Sequence, residues 1–349
     1  MSHSTVPRRG AEAADEPDRT PVASGGATGP AGGEPDRPPS AKPSLRLRFR
    51  RDRVLLLMTL PAVALVLLFS YVPILGNIVA FQDYDPYISD NGIVSMLHSP
   101  WVGLENFQRI FEDSAFWDAV TNTLVLFFLQ LVLYFPIPIL LALLINSVVR
   151  PRVRAVSQAI LYLPHFFSWV LVIAVFQQLF GGAGILSQLL RQHGYDGLDI
   201  MTDPETFKYL ITAQSVWKDA GWGIIVFLAA LSSVPTDLYE AAAMDGAGRW
   251  RRMWHVTLPA LRPVIALLLV LRVGDALTVG FEQILLQRDS VGPGASEVLD
   301  TFVWWNGVRN QDFGYAAAAG LVKGVVSLGL VLAANKVAHL MGEQGVYKK

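Results

Sequence analysis

Between Arg53 and Phe81 stand 27 consecutive residues without a charge, Val54 to Ala80. A second uncharged run follows at residues 119–149. A helix needs only ~20 such residues to cross the hydrocarbon core of a bilayer. Helices and closed barrels are also the only structures that satisfy their backbone polar groups there. The chain is therefore predicted to be an all-α, polytopic membrane protein. Its charged fraction agrees, at 16% against roughly 25% in soluble domains. The absence of cysteine removes disulfides, thiolate metal sites and cysteine nucleophiles from consideration.

Apolar patterning predicts six spans, at about 54–80, 120–148, 155–180, 213–234, 263–287 and 313–335. Residues 45–349 make up this transmembrane domain. Residues 1–44 hold eight Pro, six Gly and charges of both signs, a composition that cannot bury enough surface to fold and reads as a disordered tail. The basic residues are unevenly placed. Residues 45–53, 150–154, 236–262 and 336–349 carry fifteen Lys and Arg, while 81–118, 181–219 and 288–312 carry six. The positive-inside rule then places both termini, and the connection between spans 4 and 5, in the cytoplasm.

That connection, residues 235–262, is polar and helix-forming although apolar segments flank it. Asp237 and Glu240 have the spacing of a capping box. Gly246 and Gly248 can supply left-handed backbone, residues 249–256 suit a second helix, and Pro259 and Pro263 punctuate the return to apolar sequence. A helix, a glycine turn and another helix at a membrane face read as a docking element for another protein. No Gly-x-x-x-x-Gly-Lys-Ser/Thr loop occurs, so the chain does not bind ATP in that way. His-Glu-x-x-His, Gly-x-Ser-x-Gly and Gly-x-Gly-x-x-Gly are also missing, and the six His are scattered singly. No catalytic residue, metal site or cofactor of its own is expected.

Glu240-Ala241-Ala242, then Gly246, then Val256-x-Leu258-Pro259 resembles the cytoplasmic signature of permease subunits in binding-protein-dependent ABC importers, with Val256 where Ile is usual. Trp101-Val-Gly-Leu-Glu-Asn-Phe107, Asn122-Thr123, Phe135-Pro-Ile-Pro138, Leu161 to Trp169, Trp217 to Trp222, Gly280-Phe-Glu-Gln283 and Asp300-Thr-Phe-Val303 resemble the carbohydrate branch, the polysaccharide and lipoprotein-type sugar permeases. Trp304-Trp305 departs from that pattern, where Tyr and a basic residue are usual.

The resemblance implies an inner-membrane subunit of the bacterial plasma membrane that forms half of a pore for a sugar or oligosaccharide. A second, similar permease would complete the pore. ATPase subunits would bind ATP and dock on Glu240, Ala241, Ala242, Gly246, Val256, Leu258 and Pro259, and an extracytoplasmic solute-binding protein would deliver the cargo. Membrane lipid is the remaining expected partner, and nucleic acid is not one. The competing class is a stand-alone channel or secondary transporter for a polar solute, which would need no large patterned loop. An intramembrane enzyme is a third class and lacks a visible constellation.

Ionisable residues within spans are functional candidates by default. On a helix starting at Pro263, Arg272 lies about 13 Å deep, with Asp275 placed to neutralise it as a helix neighbour and Glu282 on the face of Asp275. Lys323 needs a carboxylate, with Asp275 and Glu282 as candidates. Gln283, Trp169 and His165 are the remaining substrate-pathway candidates, since an aromatic face can stack on a sugar ring. The alternative is packing, with the charged residues forming an ion pair that fixes subunits together and Trp169 filling space between helices.

Overall fold

The computed structural model describes residues 53–340. The expected disordered tail, the arginines at 46–51 and the lysines at 348 and 349 lie outside the described residues. The chain divides at Ala64 and Leu65 into two units. Of the first, the described part is residues 53–64, helical and with every described side chain exposed. The second unit, residues 65–349, holds all the packing considered below.

Six helical stretches are long and apolar enough to cross a membrane: Arg53–Phe81, Ser114–Asn146, Trp169–Gln192, Phe207–Ser232, Arg249–Gly274 and Phe313–Leu340. No strand occurs among the described residues. Four of these spans differ from the predicted ones. The second begins at Ser114, six residues before the predicted start, where Asp113 caps the helix by accepting from the Ala115 N–H at 2.8 Å. The third begins at Trp169 and not near 155, because Pro151–Tyr162 is a separate helix ended by a 3-10 turn at Pro164. Ser168 then restarts the chain as an N-cap, its hydroxyl accepting from the Leu171 N–H at 3.3 Å; serine suits that position because its oxygen satisfies an orphan donor. The fourth begins at Phe207, six residues before the predicted start, and so carries Lys208, Lys218 and Asp219 inside it. The fifth begins at Arg249 and ends at Gly274. Beyond it the chain is irregular until Gly280, which adopts φ +55 and opens a new helix, Phe281–Val291.

A regularity in the spans was not anticipated. Among the described residues, three five-residue π-turns occur within the spans, at Leu67–Tyr71, Gln130–Tyr134 and Met253–Thr257. A fourth, Trp305–Arg309, lies outside the spans and has no proline after it. Each of the three within the spans ends two residues before a proline, Pro73, Pro136 and Pro259. Proline has no N–H, and its ring presses on the carbonyl four residues back. That carbonyl lies inside the π-turn each time, where the wider backbone gives room. The residue before each proline donates five residues back instead, as Phe135 N does to Gln130 O at 2.9 Å.

Three apolar clusters organise the second unit. One joins Ala80, Ile110, Phe116, Phe302 and Tyr315. A second joins Leu126, Phe127, Phe207, Ile211 and Ile284. The third joins Ala142, Leu143, Ile224, Phe227 and Leu261, with Met253 and Leu258 at its border. The second span therefore feeds all three clusters, two before its π-turn through Phe116 and Leu126 and the third after it through Ala142. Between clusters the helices approach closely through small residues, as expected where lipid supplies no hydrophobic drive for association. Gly221 is the tightest case, since a Cβ there would lie 1.8 Å from the Leu161 carbonyl oxygen.

Candidate coupling helix and translocation pathway

The docking stretch is a nine-residue helix, Thr236–Met244, with no buried residue. Its N-cap is Pro235, and no side-chain cap bond forms there. The expected capping box of Asp237 and Glu240 is thus absent, because a proline occupies the position that would have to carry the capping oxygen. Glu240 and Ala241 are exposed and Ala242 is half-buried. The C-terminus closes as predicted for Gly246, which has φ +74. Gly246 N donates to Ala243 O at 3.0 Å and Ala247 N to Ala242 O at 2.9 Å, the two bonds of a Schellman motif. Gly248 is not left-handed; its φ is −66. Val256, Leu258 and Pro259 are half-buried and lie inside the Arg249–Gly274 stretch. The second half of the signature is therefore the base of the fifth span and not loop.

Within the spans the structure redistributes the expected partners. The Arg272 guanidinium hydrogen-bonds Gln130 Oε1 and lies 5.7 Å from the Tyr134 ring centroid. It does not turn to Asp275, which sits beyond the helix as its C-cap and is exposed. Glu282 is exposed in the first turn of the Phe281–Val291 helix, where a carboxylate favours the positive end of the dipole. The break at 275–280 removes the single face that Asp275 and Glu282 were expected to share. Gln283 is fully buried. It donates to Ile211 O at 2.9 Å and Gln214 Oε1 at 2.8 Å, and accepts from Ser215 Oγ at 3.1 Å. It holds helices together and presents no surface to a solute.

Lys323 pairs with Asp300, and neither Asp275 nor Glu282 is its partner. Both side chains are largely buried, at 16% and 20% exposure. Removing one member of such a pair strands the other charge, at a cost of about 3–5 kcal/mol. Lys323→Met is accordingly expected to lower the thermal unfolding midpoint of the detergent-extracted protein sharply. The double change Lys323→Met with Asp300→Leu should recover most of the loss; equal midpoints for the single and double variants would refute the pairing.

His165 Nδ1 lies 2.9 Å from Asp219 Oδ1. Its ring stacks on Trp222 with centroids 4.6 Å apart and planes 11° apart. Lys218 donates to His165 O at 2.7 Å and sits 5.5 Å over the Trp169 ring. The structure thus gathers His165, Trp169, Lys218, Asp219 and Trp222 in one place. Asp219 was missed as a site residue, although the sequence holds it between Trp217 and Trp222. A cavity of about 820 Å³ lies elsewhere, its polar lining including Asn77, Tyr84, Thr278 and Asp300. Trp304 also lines it, whereas Trp305 lies 3.7 Å beneath the Arg288 guanidinium.

Several quoted motifs prove to be backbone clamps. Asn106 donates to Ala80 O and Gln82 O at 3.1 and 3.0 Å. Asn122 donates to Gly294 O and Glu297 O at 3.1 and 3.0 Å, and Thr123 Oγ1 accepts from Leu299 N at 2.9 Å. Outside the spans, Arg109 donates to Asp312 at 2.7 Å, and that bond raises its already high pKa.

Six apolar helical stretches, polar side chains paired inside them and an exposed helix–glycine–helix connection define a multi-pass, helical membrane protein. Comparison with known proteins specifies the class. Residues 134–340 match the binding-protein-dependent transport system inner membrane component family, and the chain belongs to that family of transport permeases. It is a multi-pass protein of the bacterial plasma membrane.

The chain is 42% identical to the polygalacturonan/rhamnogalacturonan transport system permease protein YteP of Bacillus subtilis (strain 168), over 87% of its own length and 93% of that relative. It is 38% identical to protein LplB of the same organism, over 85% and 92%. Among solved structures, it superposes with a TM-score of 0.78 and 36% identity on a bacterial alginate ABC transporter chain, in complex with an alginate pentasaccharide-bound periplasmic protein. That match covers 86% of this chain and 99% of the other.

Proposed function

We propose that this chain forms half of a translocation pore for a sugar or oligosaccharide and couples it to ATP hydrolysis on a separate subunit. The observation that carries the proposal is the Thr236–Met244 helix, which buries no residue and is closed by the left-handed Gly246, in a chain without a P-loop. An ATPase groove is the partner that such a helix fits. Glu240 supplies an anchor for a basic residue, and the alanines allow close approach.

The termini and this helix face the cytoplasm by the distribution of Lys and Arg. A second, similar permease completes the pore, and a solute-binding protein docks on the opposite face. ATP stays with the partner, and the chain itself uses no cofactor. The names of YteP and of the alginate transporter support a carbohydrate cargo. In the pathway, half-exposed Trp222, backed by His165 and flanked by Asp219, offers a sugar an apolar face beside a hydrogen-bond acceptor.

Affinity purification of the tagged chain, co-expressed with an ABC ATPase and a second permease encoded beside it, tests the assembly. The ATPase is expected to co-purify and to be stimulated by sugar-loaded binding protein. A complex that never contains ATPase would instead favour a stand-alone transporter. Trp222→Ala is expected to reduce uptake of the transported sugar at least tenfold while the ATPase still co-purifies. Unchanged uptake would remove Trp222 from the pathway.

A further inference from the structure

Among the described residues, one side-chain hydrogen bond leaves the Thr236–Met244 helix for the rest of the chain: Tyr239 Oη donates to Thr257 Oγ1 at 3.2 Å. Thr257 is buried and closes the Met253–Thr257 π-turn at the base of the fifth span. That base is short of helical bonds. Pro259 and Pro263 have no N–H to donate, and a π-turn is a frequent site of local adjustment. The stretch beyond it, Leu258–Gly274, continues as one helical rod, with Pro263 inside it. A Cβ on Gly274 would lie 2.8 Å from Val331 of the sixth span, so the two helices are in close contact at the rod's far end. The exposed helix is thus attached to this rod through a weakened turn. The attachment on the rod side is the hydroxyl at the end of that turn.

We infer that Tyr239, through Thr257, is the positioning residue that converts displacement of the exposed helix into displacement of the fifth span. The inference rests on the reading of Thr236–Met244 as the ATPase-docking helix and adds the route by which its movement leaves it. The route is sequence-specific. A phenylalanine at 239 keeps the ring and its packing and loses the bond, while a serine at 257 keeps the hydroxyl.

This chain holds no cysteine, so site-directed labels in it test the route in the full complex once its partner subunits are made cysteine-free. Spin labels at Leu267→Cys on the rod and Leu140→Cys on the second span, both exposed, report the distance between the two helices with and without ATP and vanadate. The unaltered pair is expected to shift on trapping. Tyr239→Phe and Thr257→Val should each cut that shift by at least half with the ATPase still bound. The double variant should lose no more than either, and Thr257→Ser should restore the shift.

A full shift in Tyr239→Phe overturns the inference. Loss of the ATPase from the Tyr239→Phe complex also overturns it, because the tyrosine would then serve docking. If the ATPase is absent from the complex without these changes, the docking reading itself fails.

Discussion

Gly221→Ala is expected to leave almost no folded protein in detergent extracts. Its Cβ would stand 1.8 Å from the Leu161 carbonyl oxygen and 2.5 Å from the Leu161 carbonyl carbon. Both are backbone atoms of another helix, Pro151–Tyr162, so no rotamer change relieves the contact. Overpacking in a core ordinarily costs 1–3 kcal/mol; here two helices must separate, and the cost should reach at least about 3 kcal/mol. The separation would also disturb the adjoining 3-10 turn at Leu163–Phe166, which carries His165. Size-exclusion profile and thermal unfolding midpoint are the measurements. Gly320→Ala, where a Cβ meets nothing within 4 Å, is the matched control and should behave as the parent. A monodisperse Gly221→Ala variant with the parent's midpoint would show that this helix contact is not required.

The second large effect is functional. Gly246→Val forces a β-branched residue to φ +74, a left-handed conformation that costs an L-residue roughly 1–2 kcal/mol or unwinds the turn. Because no residue of the Thr236–Met244 helix is fully buried, the unfolding midpoint should move by less than about 2 °C. ATP-driven uptake in membrane vesicles is expected to fall at least tenfold, with less ATPase retained on purification. Glu240→Ala, at an exposed position, should reproduce the loss without touching the turn. Full uptake in both variants would exclude this helix as the coupling element.

The long-range architecture was legible because it rests on length and apolarity, which a bilayer converts into structure almost without context. The glycine turn was legible for a similar reason, since only Gly246 and Gly248 in that stretch could end a helix of good formers, and of the two Gly246 is left-handed. What stayed hidden depended on contacts across the fold. Lys323 could be known to need a carboxylate, but Asp300 lies 23 residues away in sequence on a separate helix, so spacing could not select it.

Arg272 and Asp275 looked like helix neighbours until the helix ended at Gly274. The left-handed Gly280 was available as a warning. Gln283 stands in Gly280-Phe-Glu-Gln283, a motif that by itself suggests the pathway. Only its three partners, all on the fourth span, show that it is fully used in packing. The third span starts later than apolarity alone implies, because the effect of Pro164 on the backbone outweighs the apolarity around it.

The π-turns make the chain intolerant of small changes in length. Each inserts about one residue into a helix, so side chains beyond it are rotated by about 100° relative to an uninterrupted helix. Leu126 and Phe127 meet one cluster and Ala142 and Leu143 another across such an offset. Deleting one residue within 130–134 would yield a more regular helix locally and swing everything downstream out of phase. It would also return the pressure of Pro136 to an ordinary α-helical carbonyl. Single-residue gaps between members of the family should therefore fall at these turns together with their prolines, the gain or loss of one accompanying the other.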